Sequence, residues 1–255
     1  MGPDVAAQDG DRVVDARGAL IAPGLVDLGV FAIDKPAFHF GGITRAALMP
    51  DQGTVLDKPA AVRFAAQSGK PDLWVHPLAA ATKGLDGVEL AELALMRDAG
   101  ARAVATGRRW ISDSGTMHRL LSYCAMLGLV VVTHAEDGGL TGQAVATAGE
   151  MATRLGLPSA PAEAEALAVA RDLMLAELTG ARLHFRQVTT AAALDLVRAA
   201  RELKATHLLF LDSDHTFPAD LVHRLASHHQ QIVAANCVTK TIPATSTARA
   251  FSETE

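Results

Sequence analysis

Cysteine, aromatic residues, basic clusters and long apolar runs are all scarce in this chain. Two cysteines stand among 255 residues, and Phe, Trp and Tyr together make up 4% of them. Cys124 and Cys237 are far apart and each has apolar neighbours, so both read as buried thiols and not as a bridge. A reducing cytoplasm is the expected compartment. With 23 Lys and Arg against 28 Asp and Glu, the net charge is −5. That balance lacks the basic patch that displaces counterions along a phosphate backbone, so nucleic acid is not an expected partner. No apolar stretch reaches the roughly 18 residues of a membrane span. The opening Met1-Gly2-Pro3-Asp4 has neither the basic nor the apolar region of a signal peptide. Neither membrane insertion nor export is expected.

What remains is 49% hydrophobic and 20% charged, the composition of a globular chain able to bury a sizeable core. The length suits one α/β barrel, or one domain with a piece of another. Short β-rich runs alternate with longer Ala/Leu-rich amphipathic runs, the pattern of repeated βα units around a parallel sheet. Strands are expected at 25–30, 43–49, 73–78, 102–106, 129–134, 182–188, 207–211 and 232–236. Helices are expected at 58–68, 88–99, 116–127, 162–179, 191–203 and 218–228. Gly69, Gly100, Gly128 and Gly180 follow four of these helices, where a left-handed residue ends the coil.

In a βα barrel the chemistry sits at the C-terminal ends of the strands. Those ends carry Gly29, Val30 and Phe31, then Pro50, Asp51 and Gln52, then His76, then Thr106 and Gly107. Further on come His134, Glu136 and Asp137, then Gln187, then Asp212 and Asp214. As a catalytic set this is sparse. Without ligands nearby, Glu136 and Asp137 read as solvated or capping carboxylates. His76 and His184 read as core or rim histidines, and Lys83 as an exposed loop lysine.

Several motifs, in order, resemble the dihydroorotases of the amidohydrolase superfamily. Ala22-Pro23-Gly24-Leu25-Val26-Asp27 is similar to the entry into their first barrel strand. The stretches His76-Pro77-Leu78-Ala79-Ala80-Ala81-Thr82-Lys83-Gly84, Thr133-His134-Ala135-Glu136-Asp137 and Val188-Thr189-Thr190 continue the likeness, which covers about residues 11–203. The resemblance implies a barrel, a zinc-bound hydroxide that hydrolyses a cyclic amide, and a place in pyrimidine biosynthesis. It also implies ligands that this chain lacks. Gly29-Val30-Phe31 stands where the family has His-x-His, and Ile33 stands at the following substrate-binding Arg. The metal-ligating Asp or carboxylated Lys aligns near Thr106 or Gly107, the later His with Gln187, and the substrate Asn with Asp51. Of the zinc ligands only His134 remains, as a vestigial ligand or a packed relic. One imidazole does not hold a catalytic zinc, which ordinarily has three protein ligands and an open position. The pattern resembles dihydroorotase-like proteins without a zinc site, some of which are noncatalytic partners of aspartate transcarbamoylase. A homo-oligomer is a further expectation.

From about residue 205 the likeness changes. Leu211-Asp212-Ser213-Asp214 with Thr216-Phe217-Pro218 resembles a fragment of GT-A type glycosyltransferases around their Asp-x-Asp, over about residues 205–250. That resemblance implies a divalent cation on Asp212 and Asp214, since hard oxygen ligands suit such ions. The other reading of the pair is a polar strand exit, with Pro218 in the first turn of a helix. The expected organisation is therefore a dihydroorotase-like barrel portion over 1–203, its N-terminal β-sandwich largely missing, and a glycosyltransferase-like βαβ segment with a loose tail over 204–255. The expected fold is α/β, a (β/α) barrel or barrel-like parallel sheet. In it the foreign strands at 207 and 232 take the seventh and eighth places; the alternative is an open six-stranded sheet with an appended lobe. For function, the expectation is a catalytically degenerate dihydroorotase-family protein. The alternatives are a metal-dependent glycosyltransferase fragment and an inactive chimera.

Overall fold

A computed structural model of the chain describes residues 23–201, together with Gly10 and Gly18. In chain order it runs β1 (Leu25–Val30), α1 (Lys35–Phe40), β2 (Ile43–Leu48), α2 (Pro59–Gln67), β3 (Trp74–Ala80) and α3 (Leu93–Asp98). β4 (Ala103–Ala105), α4 (Ser114–Leu127), β5 (Val130–Thr133) and α5 (Gly138–Thr141) follow. β6 (Ala146–Thr147), α6 (Glu150–Leu155), β7 (Ser159–Ala160), α7 (Glu163–Thr179), β8 (Arg182–Phe185) and α8 (Ala191–Arg201) complete it.

Six strands form one parallel sheet in the order β1-β2-β3-β4-β5-β8. Among the described residues each of the first five is followed by a crossover to the next strand in this order, all in parallel register. The sheet curls without closing: among the described residues it is a half-barrel. Within them this matches the open six-stranded alternative; the strands expected at 207–211 and 232–236, the helix at 218–228 and the sandwich remnant before β1 lie outside the described residues. β6 and β7 make a separate two-stranded parallel ladder beside α6.

The helices are set by local chemistry. Asp113 caps α4 by accepting the Thr116 N–H at 2.6 Å. Met117, Leu120, Leu121 and Cys124 then recur at helical spacing and are all buried, while Gly128 ends the helix at φ +68°. Burial pushes the Cys124 thiol up to about 12. Gly100 and Gly180 also have positive φ, but Gly69 does not. What Gly69 supplies is close approach, since a Cβ there would lie 2.6 Å from the Leu73 carbonyl oxygen.

Strand alternation separates two clusters of the core, and a third, of Ala135, Ala168, Val169 and Ala193, lies against α7 and α8. Val75, Ala79, Val104 and Val131 point outward and pack with Val62, Leu93, Met96, Met117, Leu120 and Leu121 from the helices. Met49, Leu78, Ala105 and Val132 point inward, with Phe31, Ala47 and Ala103 packed against them. The register pairs Ala47 with His76 and Val132 with His184, so both histidines share the inner face. Both are half-buried, as expected of rim histidines. Burial holds both imidazoles below their usual value; at His76 the nearby Arg102 and Arg45 add to it.

A pH dependence follows. A histidine with its folded-state pKa below the unfolded value of about 6.5 binds fewer protons folded than unfolded in that window. Its contribution is therefore full above pH 6.5 and is lost as the pH falls toward the folded value. Urea midpoints are expected to drop between pH 7 and 5, and His184→Gln is expected to flatten that slope. The slope per histidine is bounded by about 1.4 kcal/mol per pH unit, and partial exposure keeps it lower. A midpoint that rises on acidification through this window would contradict the assignment.

Candidate functional site

The same alternation carries side chains into the mouth of the half-barrel. Phe31 follows β1, Asp51 lies two residues beyond Met49, His134 two beyond Val132, and Arg186 two beyond His184. Arg108 arrives from the loop after β4. Four of these five form one cluster around an aromatic ring. The Arg108 Cζ lies 4.4 Å from the centre of the Phe31 ring and the Arg186 Cζ 4.9 Å from it, both within cation–π range. Arg108 Nε is 3.0 Å from Asp51 Oδ2. This is a charge contact without hydrogen-bond alignment, because both Asp51 oxygens are buried and neither accepts a hydrogen bond. Arg186 Nη2 donates to Gln187 Oε1 at 3.3 Å, whereas its buried Nη1 has no partner. Burial pulls the Arg186 pKa below the usual guanidinium value; Asp51 opposes this and Arg108 adds to it.

His134 stands beside that cluster with a different set of partners. Its Nε2 is 3.0 Å from Glu136 Oε2, and its backbone N–H donates to Thr106 Oγ1 at 3.2 Å. Its Nδ1 is buried and unpartnered. Two clefts meet at His134, Glu136 and Thr141: one of about 190 Å³ toward Glu165 and Gln187, the other of about 390 Å³ toward Arg108 and Trp110. Glu165 is spoken for, accepting the backbone N–H groups of Thr189 at 2.7 Å and Thr190 at 2.6 Å. Asp137 caps α5 through Gly139 and Leu140, which is the capping role expected of it. Lys83 is exposed and paired with Glu89.

Behind the mouth lies a buried network of Asp172, Arg171, Trp110 and Thr133. Asp172 on α7 is fully buried. It accepts from Arg171 Nε at 2.9 Å, from Trp110 Nε1 at 3.2 Å and from Thr133 Oγ1 at 3.2 Å. Arg171 lies 3.7 Å from the Trp110 ring centre and donates to the carbonyls of Ile111 and Ser112 at 2.7 and 3.0 Å. Burial pushes the Asp172 carboxyl up and these donors pull it back. The network fastens the end of β5 and the loop after β4, the two supports of His134 and Arg108, to α7.

A model of the Dihydro-orotase-like family matches residues 18–193. The chain belongs to the dihydroorotase-like family. Among curated relatives it is similar to a dihydroorotase of Pelotomaculum thermopropionicum, 39% identical over 75% of this chain and 48% of that protein. A dihydroorotase of Syntrophotalea carbinolica is 40% identical over 79% and 50%. A dihydroorotase-like protein of Pseudomonas putida is 37% identical over 80% and 51%. The chain thus spans about half the length of the curated relatives it matches. Solved structures show the shared fold. A D-hydantoinase from Bacillus sp. AR9 superposes with a TM-score of 0.59 at 21% identity, covering 78% of this chain and 48% of that one. An L-hydantoinase from Arthrobacter aurescens gives 0.56 at 22% identity, covering 71% and 45%. The glycosyltransferase resemblance of residues 205–250 finds no support in these comparisons, and Asp212 and Asp214 lie outside the described residues.

Zinc, implied by resemblance to dihydroorotases, does not fit the residues present in the described part. No three His, Cys, Asp or Glu side chains converge among the described residues. In this dihydroorotase-like mouth the ring of Phe31 occupies the strand end, and two guanidiniums that would repel a dication rest against it. His134 offers one imidazole, and its Nε2 is already taken by Glu136. Sequence reasoning places Phe31 and Asp51 at strand ends but gives no site role to Arg108, Arg186 or Asp172. For Arg186 a signal existed: it continues the inward-facing series begun by His184.

Proposed function

We propose that this dihydroorotase-like chain is a protein of pyrimidine biosynthesis that catalyses no hydrolysis itself and acts as a noncatalytic partner of aspartate transcarbamoylase. The observation that carries the reading is the phenylalanine-centred, doubly cationic mouth. Metal-assisted hydrolysis needs converging His and carboxylate ligands that hold an ion and leave a position open for water. Here the strand ends present Phe31, Arg108 and Arg186 with a single carboxylate between them.

An assembly role is supported by the outer surface. Leu167, Met174 and Leu178 of α7 are spaced seven and four residues apart, so they form one stripe, and all are exposed, as is Met126 of the neighbouring α4. Exposed apolar side chains gathered along one helix face are of the kind that contact surfaces use. Two measurements test the reading. The purified chain, supplied with zinc, is expected to hydrolyse no dihydroorotate; turnover with stoichiometric zinc overturns the noncatalytic half. Mixed with aspartate transcarbamoylase, it is expected to co-sediment, and Met174→Asp is expected to separate the two. Sedimentation as an independent species, or as a self-associated one, overturns the partner half.

A further inference from the structure

We infer that the mouth of the half-barrel is a binding site for a hydrogen-bearing oxyanion, phosphate in its protonated forms, held between Arg186 and Asp51. The inference rests on three buried polar atoms without hydrogen-bond partners, Oδ1 and Oδ2 of Asp51 and Nη1 of Arg186, of which only Asp51 Oδ2 has a charge contact, with Arg108 Nε at 3.0 Å. Native proteins leave few such atoms unpaired, and clusters of them mark the place of an ion or ordered water. The chemistry of the three atoms defines the occupant. Arg186 needs an acceptor, and the Asp51 carboxylate needs a donor.

Most small ions satisfy one requirement and violate the other. Sulfate and simple carboxylates are acceptors only at neutral pH and have no hydrogen to donate to Asp51. Ammonium groups are donors only and would face two guanidiniums. Water could do both, but it brings no charge to a site where two guanidiniums outnumber one carboxylate. Monohydrogen and dihydrogen phosphate carry P–O acceptors for Arg186 and a P–OH that donates to Asp51. Charge-assisted bonds of this kind are the strong ones, and Arg–phosphate pairing is among the most specific of them.

Arg108 supplies the way in. Its side chain is 64% exposed while that of Asp51 is 16% exposed. It rests on Phe31 and against Asp51 without aligned hydrogen bonding, so little holds it down. Lifted from Asp51, it opens the buried oxygens to the ion and presents a second guanidinium to it. Phe31 gives both guanidiniums an apolar face to lie on and keeps water from that side. This site is independent of the partner role proposed above: neither outcome of the sedimentation or hydrolysis tests bears on it.

The test is calorimetric titration of the full chain at pH 7 and fixed ionic strength with inorganic phosphate and, separately, with sulfate. Saturable one-site binding of phosphate is expected, with sulfate weaker by about tenfold or more, corresponding to about 1.4 kcal/mol. Asp51→Asn turns an acceptor into a partial donor and is expected to abolish the preference, raising sulfate to the level of phosphate. Arg186→Gln is expected to lose both ions, and Arg186→Lys to keep weakened binding, with circular dichroism reporting that each variant folds. Absence of saturable phosphate binding, equal binding of sulfate by the unaltered protein, or a phosphate preference that survives in Asp51→Asn overturns the inference. The phosphate-against-sulfate comparison needs no variant, so a substitution that fails to fold leaves the test intact.

Discussion

Asp172→Ala is expected to destabilise the folded chain by about 3–5 kcal/mol, the usual cost of removing one member of a buried ion pair. Three consequences combine at that position. The Arg171 guanidinium, itself largely buried, loses its counter-charge. The Trp110 indole and the Thr133 hydroxyl lose their acceptor. A carboxylate-sized void opens where α7 meets the end of β5. Chemical denaturation followed by circular dichroism reads the loss directly. Asp172→Asn keeps the volume and one acceptor oxygen, so it is expected to fall between the parent and Asp172→Ala. A change under about 1 kcal/mol in Asp172→Ala would mean that the network contributes specificity of position and little stability. The same variant also bears on the mouth, because Thr133 immediately precedes His134, and Ile111 and Ser112 belong to the loop that carries Arg108.

Leu120→Ala is expected to cost about 2–5 kcal/mol through a cavity in the outer core. Leu120 is wholly buried on the face of α4 that also carries Met117, Leu121 and Cys124. α4 is held on one side by β5 and on the other by α7, so the space left by the side chain lies between fixed elements. Met126→Ala on the same helix is the control. Met126 is 83% exposed, and its replacement is expected to change stability by less than about 0.5 kcal/mol. Equal effects from the two substitutions would contradict the orientation of α4.

Much of this architecture was legible in the sequence, and the reason is periodicity. The strand read at 25–30 is β1 to the residue, and the five that follow it overlap β2, β3, β4, β5 and β8, with ends that differ by up to three residues. The helices read at 58–68, 116–127, 162–179 and 191–203 coincide with α2, α4, α7 and α8 within one or two residues. The helix read at 88–99 is shorter: a bridge between Thr82 and Leu90 holds the chain extended, and α3 begins only at Leu93. Five elements are not read from the sequence because they are too short to show a period, among them α6, six residues between Gly149 and Gly156. α1 rests on its Asp34 cap and on Pro36 near its start, α5 on its Asp137 cap, and β6 and β7 are two residues each. The site was less legible than the fold. Resemblance to a family pattern implies which ligand types to look for at the strand ends, but what gathers there is a matter of three-dimensional convergence. Phe31, Arg108 and Arg186 are separated by more than 70 residues at each step, and only the register of the sheet brings them together.

The division of the core into an outer and an inner cluster has a consequence for how such a chain can change over generations. The outer cluster joins the sheet to its helices through more than twenty buried side chains, while the inner one has four. Substitutions at the mouth therefore draw on almost none of the packing that keeps the chain folded. Chemistry and foldedness thus rest on separate sets of residues, and the scaffold tolerates a change of side chains at the strand ends.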